Sequence, residues 1–198
     1  MQLSRLYSNK PSLFEPIEFN RGFESNVLNV IYGAVTDLSD DSKDSHNLGK
    51  STLIHVIDFM FLKSISGSNH FFETHQDRFK GLVLFLELGL NSGEFVTVRR
   101  SIDFNTRISF KMFEVGGQNW TEQDEDAWDH QDLSLEASRE LLDGMLNLQV
   151  VSPYNYRKAL TYFLRTQDDY KDVLQLQKFQ TGRDIYWKPF VMNLLGFD

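Results

Sequence analysis

The 198-residue sequence has no cysteine, which excludes disulfides, thiolate zinc sites and a cysteine nucleophile. It also has no long apolar run: no stretch approaches the roughly 18 apolar residues that a membrane helix needs. The opening Met1-Gln2-Leu3-Ser4-Arg5-Leu6 lacks the apolar core of a signal peptide. A soluble, cytoplasmic protein without a membrane partner is therefore expected. There is no excess of positive charge either, since the formal net charge is −8, and a surface basic all over is excluded. Nucleic acid would have to be met by a local patch. The clearest one is 157–188, where seven basic residues face four acidic ones; a solvated helix face explains the same excess. No internal repeat is visible.

Apolar residues make up 41% of the chain and aromatic residues 14%, with 17 Phe and three Trp, so a sizeable core can be buried. The chain is organised around His46-Asn47-Leu48-Gly49-Lys50-Ser51-Thr52, preceded by the apolar run 27–33 and followed by the apolar run 53–62. An apolar strand, a loop and then Gly-Lys-Ser-Thr opening a helix is an arrangement that holds nucleotide phosphates, because free backbone N–H groups and the helix dipole converge there. Lys50 would neutralise the β and γ phosphates of ATP, and Ser51 would offer its hydroxyl to Mg²⁺. The spacing is irregular: the usual G-x-x-x-x-G-K-[ST] asks for glycine where Asp44 stands. The nearest upstream glycine is Gly33, leaving 15 residues between the glycines instead of four, an insertion of about eleven. That insert carries Asp37, Asp40, Asp41 and Asp44 against Lys43. Acid beside triphosphate is unfavourable unless it faces solvent or holds a metal, and Asp and Ser also serve ordinary turn chemistry.

Along the chain, Leu3 to Tyr7 and Ile17 to Phe19 read as two strands around an Asn9-Lys10-Pro11 turn. The run 27–33 reads as a strand ending at Gly33. The helix from Lys50 has apolar residues at Leu53, Ile54, Ile57 and Phe61 and is expected to stop near Gly67. Residues 82–88 and 95–102, joined by Asn91-Ser92-Gly93, form a hairpin, and 107–115 adds a third strand, giving an antiparallel side sheet. Residues 118–133 read as an acidic loop with Glu122, Asp124, Glu125, Asp126, Asp129 and Asp132; it lacks the glycine-punctuated spacing of a calcium loop. Helices follow from Ser134, over 154–165 and over 185–195. Three regions result: a core at 1–117, the loop at 118–133 and a helical segment at 134–198.

A complete P-loop ATPase also needs an apolar strand ending in an acid that holds Mg²⁺ and polarises water. The nearest imitation, 82–87, puts Glu87 mid-strand and runs on into a hairpin. A catalytic acid supplied from outside this chain is the better expectation.

This order of parts resembles the N-terminal half of the ATPase head of the structural-maintenance-of-chromosomes (SMC) class, within the ABC ATPases. The residues that carry the likeness are the hairpin start, Phe19-Asn20-Arg21-Gly22-Phe23, the strand into Gly33, Gly49-Lys50-Ser51-Thr52, a side sheet with Arg99-Arg100, and Tyr162-Phe163-Leu164-Arg165-Thr166-Gln167, similar to the family's Q-loop. The inserted loop with Asp44-Ser45-His46-Asn47 looks most like a bacterial branch found in three-component ABC systems, several linked to defence against phage and plasmids. The resemblance implies an α/β fold, lobe I plus the start of the helical lobe of a P-loop head. It implies a coiled coil beyond this chain and a C-terminal half-head, of the same or another chain, carrying the signature motif and the acid pair. It implies ATP hydrolysis only once that half is present, homodimerisation through an ATP sandwich, accessory subunits and DNA engagement. By the same likeness Gln167 senses the γ phosphate through Mg²⁺, and Arg21 lies near the phosphates. Two other classes compete: a non-catalytic interaction domain with a degenerate P-loop, and a self-contained P-loop phosphotransferase or GTPase.

Overall fold

A computed structural model describes residues 1–19, 28–31, 50–65, 71–148, 152–164 and 184–197. Its centre is one sheet of six strands, β1 (Gln2–Ser8), β2 (Ile17–Glu18), β3 (Val83–Gly89), β4 (Phe95–Ser101), β5 (Ile108–Phe113) and β6 (His130–Leu133). They lie in the order β2-β1-β3-β4-β5-β6, every neighbouring pair antiparallel. The helices are α1 (Lys50–Met60), α2 (Phe71–Thr74), α3 (Gln76–Phe79), α4 (Leu135–Leu146), α5 (Tyr156–Phe163) and α6 (Asp184–Leu194). The molecule is thus α/β in composition, with an antiparallel sheet.

Because side chains alternate across a strand, register sorts residues onto two faces. Leu6, Leu86, Val98 and Phe110 are directly opposite one another across four strands, all fully buried. This row belongs to the main core, together with Val56, Phe59 and Met60 of α1, Phe72 of α2 and Leu142 and Leu146 of α4. The other face carries Tyr7, Phe85, Arg99 and Ser109 in one row and Arg5, Glu87, Thr97 and Lys111 in the next. It is covered by the segment 114–129, whose Trp128 stacks near Phe85 at 6.2 Å and Trp120 near Phe113 at 5.4 Å. Both faces of β3 are therefore covered, which explains its nearly unbroken apolar run.

Three expectations need correction. The strands β3 to β5 are not a separate side sheet: β1 pairs along the whole of β3, so hairpin start and side sheet are one layer. The acidic stretch 118–133 is not all loop, since it holds a 3₁₀ turn at Glu125–Ala127 and then β6, paired to β5. That strand's Gln131 and Asp132 are solvent-facing, so no apolar alternation marks it; free backbone groups on the edge of β5 recruit it instead. Two of its acids are ion partners: Glu125 holds Arg99 in a two-pronged pair, with Arg99 Nη1 donating to Oε1 at 2.8 Å. Asp129 accepts from Lys111 at 2.9 Å and from the Met112 backbone N–H at 2.7 Å. The Arg99 hydrogen bond holds Glu125 below the usual carboxylate range. Among the described residues no cluster of His, Asp or Glu is arranged to hold a metal.

Third, α1 ends at Met60 and not near Gly67. Leu62 turns into the left-handed region at φ 67° while fully buried, a conformation no glycine or asparagine announces. The short helices α2 and α3 have no counterpart among the expected helices, while α4, α5 and α6 start within two residues of those expected from Ser134, over 154–165 and over 185–195. Ser134 caps α4 by accepting from the Ala137 N–H, Asn155 caps α5 by accepting from Lys158, and α6 packs Phe190 against Tyr162 at 4.9 Å.

Glu87 is fully buried on the face opposite α1, where its carboxylate accepts from Ser4 Oγ and from the Gly117 N–H at 3.0 Å. Both its oxygens are committed to holding 114–129 on the sheet, a structural role. Replacing Glu87 with Ala strands the buried Ser4 hydroxyl, releases the Gly117 N–H and opens a cavity, so a loss of about 2–4 kcal/mol is expected in urea denaturation. Glu87→Gln, which keeps the volume and one acceptor, is expected to lose less than half of that.

Candidate functional site

The candidate site is α1, and its two ends differ in kind. The helix begins at Lys50, so Lys50, Ser51 and Thr52 form its first turn, and no acidic residue stands in that turn. Four free backbone N–H groups and the positive end of the helix dipole belong to such a terminus, a setting that favours an anion. Thr52 is half-buried. Of the other expected site residues, Arg21, Gly33, Asn47, Gly49 and Gln167 lie outside the described residues, as does the acidic insert.

The expected strand leading into the phosphate loop is not formed where it is described. Residues 28–31 adopt no strand, and Leu28 and Val30 are 84% and 75% exposed. A strand feeding a phosphate loop is ordinarily flanked by parallel strands with both faces covered. Every pairing among the described strands is antiparallel and joins the six already given, so these apolar side chains have no layer to enter.

The C-terminal end of α1 carries what the motif-based reading missed. The Phe59 carbonyl of its last turn and the carbonyls of the turn that follows, 61–63, are gripped by three arginines from three different elements. Arg100 of β4 donates from Nη1 to the carbonyls of Phe59 and Lys63, the latter at 2.9 Å, and from Nε to the Asn105 carbonyl at 2.7 Å. Its guanidinium lies 3.9 Å from the centre of the Phe59 ring. Arg139 of α4 donates from Nε to the Leu62 carbonyl at 2.9 Å and from Nη2 to Ser64 Oγ at 3.0 Å. Arg157 of α5 reaches the Phe61 carbonyl at 3.0 Å and Asp58 Oδ1 at 2.8 Å, and the Tyr156 hydroxyl also donates to the Phe61 carbonyl at 3.2 Å. Lys63 closes the set on Asp58 Oδ2 at 2.7 Å.

Cations at a helix C-terminus suit its negative dipole end, but here they are crowded against each other. Burial, with the charges of Arg139 and Arg157, pushes Arg100 down to about 9, which still leaves it cationic at neutral pH. Asp58 is the carboxylate within this set. Arg157, counted in the basic stretch 157–188, is thereby turned inward and is not part of a nucleic-acid patch. Arg99 and Arg100, adjacent in sequence, point to opposite faces and share no partner. The one signal that could have exposed this end was Asp58 itself, an acid set among apolar residues near the end of an apolar helix. Clefts of 630 Å³ beside Gly89 and Gly93 and of 490 Å³ beside Arg99 and Arg107 involve no residue of α1.

Asp58 ties the set to pH. Burial alone would raise its pKa, but the Lys63 hydrogen bond and the Arg157 charge outweigh burial and hold it below the usual value. A depressed folded-state pKa means that the stabilisation is complete above the unfolded value, roughly 4, and is lost as pH falls through the folded value. Urea midpoints of wild type and Asp58→Asn are therefore expected to differ most at pH 6–7 and to converge as the pH drops below about 4; a gap independent of pH would contradict this assignment.

No protein-family model, no curated protein and no solved structure matches this chain.

Proposed function

We propose that this chain is the ATP-binding half of an SMC-like ATPase head, whose ATP-dependent dimerisation regulates DNA engagement in bacterial defence or DNA maintenance. The observation that supports it best is that Lys50, Ser51 and Thr52, which follow Gly49 in sequence, stand in the first turn of α1 with no acid there. A helix N-terminus opened by Gly-Lys-Ser-Thr suits the phosphates of ATP. By the resemblance, Ser51 and Gln167 would hold Mg²⁺, which would neutralise charge on the β and γ phosphates. Lys50 would bind the same phosphates, the Gly49 and Asn47 backbone would line them, and Arg21 and Gly33 belong to the approach to the site.

Hydrolysis needs an acid, and Glu87, the acid nearest to the right sequence setting, is occupied by Ser4 and Gly117 on the far side of the sheet from α1. The reading therefore assigns the acid and the signature motif to a C-terminal half-head, from the same or another chain, with accessory subunits completing the system. The exposed 28–31 segment favours a second reading, an interaction domain in which the P-loop survives only as a turn.

Titration calorimetry with ATP and Mg²⁺ separates the two. The half-head reading expects measurable binding by the 198-residue chain, weakened at least tenfold by Lys50→Ala, with negligible turnover. Substantial turnover abolished by Lys50→Ala would overturn the half-head and favour a self-contained enzyme. Absence of binding to ATP, ADP and GTP at millimolar concentration would favour the interaction domain.

A further inference from the structure

We infer that α1 is a coupling element: phosphate occupancy at its Lys50 end is transmitted to α4 and α5 through the arginine collar at its other end, with Arg157 as the positioning residue. The inference rests on the phosphate-binding reading of the Lys50 end and adds a route of regulation to it.

The collar does more than a helix end requires. α4 shows what suffices: Asn147 in the left-handed conformation returns its N–H to the Asp143 carbonyl, and the helix is closed by local backbone alone. α1 is closed in a similar local way, the left-handed Leu62 donating its N–H to the Phe59 carbonyl at 2.9 Å and Lys63 to the Asp58 carbonyl at 3.1 Å, and the arginines are added to that closure from 37 or more residues away in sequence. These side chains divide into two sets. Arg100 comes from the centre of the sheet, is fully buried and is fixed at three carbonyls and over the Phe59 ring, so it pins the helix end to β4. Arg139 and Arg157 come from α4 and α5, and these two helices are joined to each other where the Asp143 carboxylate accepts the Tyr156 N–H at 2.7 Å.

An 11-residue helix is stiff and about 16 Å long. A small shift or tilt at Lys50, turning about the Arg100 anchor, must move the carbonyls of Phe61 and Leu62 against Arg139 and Arg157. These hydrogen bonds are directional and charge-assisted, so α4 and α5 either follow the helix or lose them. Asp58 makes Arg157 the sensitive member, because its guanidinium spans the helix side chain and the Phe61 carbonyl together.

The test is amide hydrogen exchange on the whole 198-residue chain, with and without saturating ATP and Mg²⁺, read by peptide. In wild type, exchange is expected to slow in α1 and, by at least about fivefold, in α4 and α5. In Arg157→Met the slowing in α1 should remain and that in α4 and α5 should disappear, with Arg157→Lys intermediate. A merely structural role would instead speed exchange in α5 equally with and without nucleotide. Should Arg157→Met not fold, Tyr156→Phe removes only one donor to the Phe61 carbonyl and should reduce the nucleotide-dependent slowing in α5. Wild type that binds ATP by calorimetry yet shows protection confined to α1, or variants that keep the full slowing in α4 and α5, would overturn the coupling. Wild type that binds no nucleotide would instead overturn the phosphate-binding reading, and the coupling with it.

Discussion

The constraint on which most of this architecture depends is the buried turn that ends α1. Any α-helix leaves its last four carbonyls without partners, and burying them unpaired is costly. Here the N–H groups of Leu62 and Lys63 close the carbonyls of Phe59 and Asp58, but the turn that does so buries Phe61 and Leu62, whose own carbonyls water cannot serve, so the protein must supply donors. It supplies guanidinium groups from β4, α4 and α5. Each is long enough to reach past the aromatic core and has several N–H groups in one plane, so one side chain can close two carbonyls at once.

This choice determines how the layers meet. The helices on the core face of the sheet are held by packing, which is non-directional, and by this collar, which is not. The opposite face has its own directional fastening. Glu87 binds the Gly117 backbone, Arg99 binds Glu125, and Lys111 binds Asp129, while Tyr7, Phe85, Trp120 and Trp128 fill the space between. Cations over aromatic rings recur there: Arg99 lies 4.7 Å from the centre of a Trp128 ring and Lys111 lies 5.6 Å from that of Trp120. Two acids of the stretch read as an acidic loop, Glu125 and Asp129, are thus counter-charges to Arg99 and Lys111 on the sheet, and Trp120 and Trp128 anchor the segment.

What could be read from sequence followed from local physics. Apolar runs joined by a glycine-containing turn marked β3 and β4, Ser134 marked the start of α4, and Gly49-Lys50-Ser51-Thr52 marked the helix from Lys50. The failures share a different cause. β6 carries no alternation because its place comes from the edge of β5, and α1 stops at Met60 because the buried Leu62 takes a left-handed turn that burial in the core, and no glycine, holds. The apolar run 28–31 reads as a strand by composition, but a strand needs neighbours, and the described sheet offers it none. The candidate phosphate site was legible only as a motif.

The sequence by itself determined which segments are strands and helices wherever the determinant is a neighbour within about four residues: a cap, a turn, a period of two or 3.6. It also determined the chemistry available, a Gly-Lys-Ser-Thr helix start and no cysteine. Only the tertiary structure decided that Glu87 is a structural acid, that Arg99 and Arg100 serve opposite faces, and that Arg100, Arg139 and Arg157 converge on one helix end. The physical reason is that a buried ionisable group takes its role from whichever partners relieve its desolvation. Those partners are brought together by the pairing of β3 with β4 and the docking of α4 and α5, events that no local pattern encodes.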